Sequence, residues 1–122
     1  MRRTLILTSN MIASRTIAEA LMLKAAHMDR EINTRRTSNY FNVLIDDYDM
    51  IEIDAIISPY NQRGRRADFL IMTQDYFNRM KIEECGILAG IVVFTGSDTD
   101  NIYIINPDED NDWLYEKLFF TS

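Results

Sequence analysis

An arginine cluster is the first feature of this sequence that could support chemistry. Three guanidinium side chains fall within four consecutive positions, at Arg63, Arg65 and Arg66. Guanidinium groups bind phosphate or carboxylate oxygens through paired, charge-assisted hydrogen bonds. The cluster is therefore a candidate anion-binding site on a loop at the edge of a sheet. The same side chains could instead pair with hairpin carboxylates of this chain, and that structural role is the favoured alternative.

The strand that follows the arginines ends without the groups that phosphoryl transfer requires. That chemistry needs carboxylates to hold magnesium and a loop that cradles phosphates. The strand ends in Thr73 and Gln74, whose neutral oxygens cannot replace carboxylates, and neither G-x-x-x-x-G-K-[ST] nor G-x-G-x-x-G occurs. His27 and Cys85 are the only residues of their types, which argues against a zinc site or a histidine-based triad. We assign no catalytic residue, metal or cofactor, and expect that the chain is not an enzyme.

Acidic residues are unevenly distributed along the chain. Residues 1–40 carry seven basic and three acidic side chains, whereas residues 41–122 carry six basic and sixteen acidic ones. The net charge of −6 disfavours direct binding to nucleic acid or to an anionic membrane. It suits a protein partner with a basic surface.

Two groups of acids deserve comparison with known metal sites. Glu52 and Asp54 share one face of a strand, but a two-metal nuclease needs carboxylates that converge from different strands. The solvated face of a hairpin explains both residues without catalysis. The run "NPDEDND" lacks the glycine and the distal glutamate of a calcium-binding hand, so helix capping and solvation explain it better.

The acid-rich segment near the end of the chain is the main candidate for recognition. Between Asp98 and Glu116 there are seven acids and no basic residue. We predict that this segment contacts a partner through the following residues: Asp98, Asp100, Asp108, Glu109, Asp110, Asp112 and Trp113.

The hydrophobic pattern predicts the elements that must position these residues. A buried strand at residues 5–7 leads into a helix whose apolar face runs from Ala13 to Met28. A polar surface loop is expected at residues 30–39, followed by an alternating two-stranded hairpin at residues 41–55. The apolar stretch at residues 68–72 belongs in the middle of the sheet.

The second half of the pattern predicts four more elements. A short helix should end near Gly86, and a buried strand should span residues 90–96. Residues 101–105 follow after a turn too short for a crossover helix, which favours an antiparallel last pair. The final helix should place Trp113, Leu114 and Leu118 on one side. We therefore predict a single α/β domain over residues 1–122, with a mixed, mainly parallel central sheet, a hairpin and about three flanking helices.

Several segments between residues 4 and 97 together resemble the ATPase core of phage terminase large subunits and related helicase-like motors. They are "TLILTSNMIASRTIAEAL", the stretch from "YFNVLI" to "TQDYF", and "IVVFTGS". The turn "SPYNQRGRRAD" matches the family's S-x-x-x-x-R-G-x-x-A/D turn, and Thr95 stands at the family's coupling motif. The phosphate loop would precede Met1, and Thr73 and Gln74 replace the Asp-Glu pair. The resemblance therefore implies a nonhydrolysing relic or a split piece of a motor.

The segments "LILTSN", "DFLIM", "VVFTG" and "NPDED" are also similar to receiver domains of two-component signalling. That resemblance would place Thr8 and Ser9 at the acid pair, Thr73 at the phosphorylated aspartate and Asn106 at the lysine. Eleven positions separate Thr95 from Asn106, too few for the helix that receiver domains have there. This resemblance ranks below the first.

Three functional hypotheses follow. The leading one is a catalytically inactive binding protein of phage or mobile-element origin, which docks on a nucleic-acid-handling protein through its acidic surface and inhibits it. The second is a terminase or helicase core fragment that needs a separate chain for its phosphate loop. The third is a homodimeric structural protein formed through a strand edge and the helix Trp113–Phe120. The short apolar run at the start does not resemble a signal peptide, so we expect a cytoplasmic location, in the host cell if the protein is viral.

Overall fold

The structure is a computed structural model that describes residues 2–36, 40–46, 49–55, 62, 65–93 and 101–120. Within these residues the strands are β1 (Arg2–Leu7), β2 (Ile32–Arg36), β3 (Tyr40–Ile45), β4 (Asp49–Asp54), β5 (Phe69–Thr73) and β6 (Ile102–Ile105). The helices are α1 (Met11–His27), α2 (Gln74–Arg79), α3 (Cys85–Val93), which follows a 3-10 turn at Ile82–Glu84, and α4 (Asp112–Phe120).

The six strands form one mixed sheet in the order β2-β3-β4-β1-β5-β6. β1 runs parallel to both β4 and β5, and β5 runs parallel to β6. β3 is antiparallel to both β2 and β4. The predicted class, an α/β fold with a mixed, mainly parallel sheet that contains a hairpin, is confirmed.

Helices cover the two faces of the sheet and create two apolar cores. Because strand side chains alternate between faces, Ile6 and Ile71 point to one face whereas Leu5 and Leu70 point to the other. The first core lies beneath α1 and α4, and the second lies beneath α2 and α3. The strands β1 and β5 are buried on both faces, as their continuous apolar sequences predict.

Helix α1 forms as its apolar period predicts. Asn10 is its N-cap: the side-chain Oδ1 accepts a hydrogen bond of 2.8 Å from the backbone N–H of Ala13. Ile17, Leu21 and Ala25 are fully buried against the sheet. The helix therefore leaves the carboxyl end of β1 directly and crosses back over one face.

The predicted surface loop at residues 30–39 is wrong over Ile32–Arg36, which form edge strand β2. Residues 33–36 are exposed, so the segment has no alternating apolar signal. Backbone pairing with β3 makes it a strand, in the register Ile32 opposite Ile45. The hairpin of β3 and β4 is confirmed, with Val43 opposite Ile51.

The region after β5 corrects two predictions. The helix does not end near Gly86, which lies in the first turn of α3; instead α2 ends at Arg79 and a 3-10 turn separates the two helices. The strand predicted at residues 90–96 is wrong for residues 90–93, which belong to α3, and residues 94–96 lie outside the described part. A short, continuous apolar run suits a buried helix as well as a buried strand, and here the helix forms.

The last strand and helix give one correction each. β6 is parallel to β5, not antiparallel to a strand at residues 90–96, because α2 and α3 together supply the crossover. The final helix is present as α4, with Leu114 and Leu118 buried, but Trp113 points away from them and is 58% exposed.

None of the helices within the described ranges combines the length and the apolar character that crossing a bilayer would require.

Candidate functional site

The acidic segment after β6 is a loop held in place by two asparagine side chains. Buried Asn111 donates hydrogen bonds from Nδ2 to the backbone oxygens of Asn106, at 2.8 Å, and Glu109, at 3.1 Å. The Oδ1 of Asn106 accepts a hydrogen bond of 3.2 Å from the backbone N–H of Asp108. The Oδ1 of Asp110 accepts one of 2.9 Å from the N–H of Asp112, at the start of α4. Hydrogen bonds between side chains and the backbone, not ion pairs, fix this loop.

The carboxylates of this loop point into solvent. Asp108, Glu109 and Asp110 are exposed, and none of them forms an ion pair with another described residue. Asp112 differs because it accepts a hydrogen bond of 3.0 Å from Nζ of Lys24 on α1. This hydrogen bond raises the pKa of Lys24.

Trp113 follows Asp112 directly in the first turn of α4. Its ring packs edge-on against Tyr103, with centroids 6.1 Å apart, and Lys117 lies 5.2 Å above the Tyr103 ring. The indole is therefore positioned by one aromatic contact while more than half of its surface stays accessible. We call Asp108, Glu109, Asp110, Asp112 and Trp113 the acidic edge. The structure brings these five predicted residues together, whereas Asp98 and Asp100 lie outside the described residues.

The predicted anion-binding arginines have different environments. Arg65 donates from Nη2 to Glu52 at 2.7 Å and from Nη1 to Asp54 at 3.0 Å and to Gln62 at 2.6 Å. The favoured alternative, salt bridges to hairpin carboxylates, therefore describes Arg65. Arg66 is exposed. Arg63 lies outside the described residues, as do Gly64 and Thr95 of the motor resemblance.

The carboxyl ends of three parallel strands enclose a crevice of about 430 Å³. β1 contributes Ser9 and Asn10, β5 contributes Thr73 and the start of α2, and β6 contributes Asn106 and Asp108. Ser9 is buried and its hydroxyl donates a hydrogen bond to Oδ2 of Asp75 across the crevice.

Thr73 has a structural role in this crevice. Its side chain is buried and its Oγ1 caps α2, accepting a hydrogen bond of 3.3 Å from the backbone N–H of Tyr76. Sequence reasoning missed the crevice because its residues come from three separate segments. The available signal was the polar groups that follow buried strands, such as Ser9 and Asp75, since parallel strands end at a common edge.

Across the part of the chain that the structure describes, no three His, Cys, Asp or Glu side chains are grouped so that they could hold a metal ion. Comparison with family models, with curated proteins and with solved structures found no match to this chain. The resemblances to motor cores and to receiver domains therefore stay predictions.

Proposed function

We propose that this chain is a binding protein that docks through its acidic edge on a basic surface of a nucleic-acid-handling protein and so inhibits it. The observation that carries the proposal is an exposed Trp113, packed against Tyr103, in the same segment as three exposed carboxylates that form no ion pair with another described residue. A phage or mobile-element origin and a cytoplasmic location belong to the same proposal.

The geometry favours both a low free energy of binding and fast association with a basic partner. Tryptophan is among the residues that contribute most to interfaces, because it buries a large rigid ring. The exposed carboxylates around it attract a basic partner over several ångströms and accelerate encounter. Because Asn111 already holds the loop, little conformational freedom is lost when a partner binds.

The acidic edge also explains which class of partner fits. A groove that binds nucleic acid presents Lys and Arg side chains to phosphates. Carboxylates at the surface of this chain would meet the same side chains. Competition with nucleic acid for one groove is the simplest way in which a protein of this shape inhibits an enzyme without catalysing a reaction.

The test is a quantitative affinity capture with charge-neutralised variants. The chain is immobilised, exposed to bacterial extract and washed at low salt with and without double-stranded DNA. We expect a retained protein that DNA displaces and that the variant Asp108→Asn/Glu109→Gln/Asp110→Asn does not retain. Reconstitution from the two purified proteins, with affinity falling as salt rises, then measures the interaction directly.

The matched control neutralises three exposed acids elsewhere, in Glu19→Gln/Asp29→Asn/Glu83→Gln. This control variant changes the net charge by the same amount but leaves the acidic edge intact. It should therefore still retain the partner. Equal loss in both variants would attribute binding to overall charge and contradict the acidic edge. Hydrolysis of nucleotide by the purified chain with magnesium would contradict the catalytically inactive assignment.

A further inference from the structure

The crevice at the carboxyl ends of β1, β5 and β6 lies where the sheet changes its direction of winding. From β1 the chain leaves through α1 to β2, on the β4 side of β1, whereas from β5 it leaves through α2 and α3 to β6, on the opposite side. The helices α1 and α2 also lie on opposite faces of the sheet. Adjacent parallel strands whose connections diverge in this way leave a gap between the helix starts. In open α/β sheets, ligands bind in this gap. The volume of about 430 Å³ is sufficient for a small organic molecule.

The groups that line the crevice disfavour a phosphate ligand. Two carboxylates, Asp75 and Asp108, face it, and its described lining includes no Lys, Arg or His. The start of α1 is also partly closed to anions, because Asn10 accepts hydrogen bonds from the N–H groups of Ala13 and Ser14. The described lining therefore offers no cation, and two of the backbone N–H groups at the start of α1 are already used within the chain.

The same groups favour a ligand that donates hydrogen bonds. The hydroxyl hydrogen of Ser9 is used by Asp75, so this pair presents mainly acceptor oxygens to the crevice. The charge of Asp75 is partly balanced by Arg79, whose Nε lies 3.5 Å from Oδ2. A carboxylate is a strong acceptor for hydroxyl groups, and the nearby cation makes it less attractive to a positively charged ligand. The side-chain amides of Gln74, Asn78 and Asn106 can complete the recognition of hydroxyl groups.

One wall of the crevice is apolar and accessible. Ile12, in the first turn of α1, is 77% exposed at the rim beside Ala13. An apolar ring face that packs on Ile12 would cover it while hydroxyl groups reach Asp75. A sugar or a nucleoside combines these two properties.

We propose that this crevice binds an uncharged small molecule through a vicinal diol, with Asp75 accepting from the hydroxyl groups and Ile12 packing against the ring. The diol can come from a ribonucleoside or from a free monosaccharide. The crevice shares Asp108 with the acidic edge, but ligand binding there does not depend on the docking function.

The experiment titrates the full chain with four probes while backbone amide signals are followed by NMR. Adenosine and D-ribose carry the diol, 2′-deoxyadenosine lacks it, and adenosine monophosphate adds a negative charge. We expect saturable binding of adenosine with shifts at Ser9, Asp75 and Asn106. Binding should be about tenfold weaker or more for 2′-deoxyadenosine, since a hydrogen bond to a charged group is lost. The monophosphate should also bind more weakly.

Two variants connect the binding to the crevice. Asp75→Asn should weaken the binding of adenosine by about tenfold or more, since the acceptor loses its charge. Asn78→Ala should weaken this binding less. Glu83→Gln, an exposed acid in the 3-10 turn, is the matched control and should bind as the wild type does. Because the probe comparison uses the wild-type chain, it remains decisive if a variant folds poorly.

The outcomes separate clearly. Ribose that binds as tightly as adenosine supports the proposal and identifies the monosaccharide as the recognised part, whereas a preference for adenosine identifies the nucleoside. The proposal is overturned if neither adenosine nor ribose binds, if the monophosphate binds more tightly than adenosine, or if Asp75→Asn leaves the affinity unchanged.

Discussion

The hairpin and the acidic edge are both rich in carboxylates, but the hairpin pairs its carboxylates with arginines, whereas at the acidic edge only Asp112 has such a partner among the described residues. On the hairpin, Asp49 lies 3.0 Å from Arg30 and 3.3 Å from Arg2, and Arg30 also pairs with Asp46. At the acidic edge, Asp108 and Asp110 have no such partner among the described residues.

Burial explains this difference. Asp54 is only 5% exposed, so its charge requires a cation and hydrogen bonds within the fold. An exposed carboxylate is hydrated and needs neither. The exposed acids of the acidic edge can therefore bind a partner, whereas the paired acids of the hairpin stabilise the fold. The following predictions test this division, beginning with the largest expected effect.

Removing Arg65 should cause the largest loss of stability. Arg65→Ala leaves Asp54 and Glu52 without the guanidinium that now contacts both. We expect the free energy of unfolding to fall by about 3 kcal/mol, because carboxylates remain in a partly desolvated site. Chemical denaturation at neutral pH measures this. Arg15→Ala, at an exposed position of α1, should change it by about 0.5 kcal/mol or less. A similar loss in both variants would contradict the structural role of Arg65.

Asn111→Ala should have the next largest effect, because amides rather than ion pairs hold the acidic edge. The change removes both hydrogen bonds that Asn111 Nδ2 donates to backbone oxygens in the loop. We expect a loss of about 2 kcal/mol in the free energy of unfolding, about 1 kcal/mol for each bond. Faster amide hydrogen exchange at residues 106–110 should accompany it. Unchanged exchange there would show that the loop does not depend on this side chain.

Asp46→Asn should have a smaller effect that depends on pH. The backbone N–H of Glu31, followed by Arg30, lowers the pKa of Asp46. A lowered pKa in the folded state stabilises the protein above the unfolded pKa of about 3.9, and this contribution is lost as pH falls through the folded value.

The variant removes the charge but keeps an acceptor for Glu31, and Asn tolerates the left-handed backbone at this position, where φ is 53°. The stability difference between wild type and Asp46→Asn, measured by denaturation at several pH values, should therefore be present at pH 7 and shrink below about pH 4. A constant difference would contradict the electrostatic explanation.

Neutralising the acidic edge should have the smallest effect on stability. In Asp108→Asn/Glu109→Gln/Asp110→Asn the free energy of unfolding should change by about 0.5 kcal/mol or less, because no internal ion pair is lost. Partner binding should nevertheless disappear. A large destabilisation measured in the same denaturation assay would place these acids with the structural ones of the hairpin.

The predictability of the fold followed the strength of the local signal. Buried strands β1 and β5, helix α1 and the alternating hairpin have clear periods, and all were predicted. β2 was missed because its side chains are exposed and only the register with β3 makes it a strand. The end of α3, residues 90–93, was predicted as a strand because its apolar run carries no period. With a strand expected at residues 90–96, the next strand had to be antiparallel to it. Because those described residues belong to a helix, β6 instead pairs parallel with β5.

The candidate site was predictable only where it is continuous in sequence. The acids of residues 108–112 fall in one run, and charge alone drew attention to them. The pairing of Arg65 with Glu52 and Asp54 could be named as an alternative, but the choice required the distances. The contact between Ser9 and Asp75 joins residues 66 positions apart, so it follows from strand order rather than from any motif.

The polar edge strand β2 has a consequence for self-association. An outermost strand offers unpaired backbone groups that can recruit the same strand of another molecule, and exposed charges on it oppose such pairing. Arg35 and Arg36 are exposed on β2, so two copies that met along this strand would bring guanidinium groups of like charge together. Pairing of two copies through a strand edge is therefore opposed at β2, whereas at β6, the other edge of the described sheet, Ile104 is exposed.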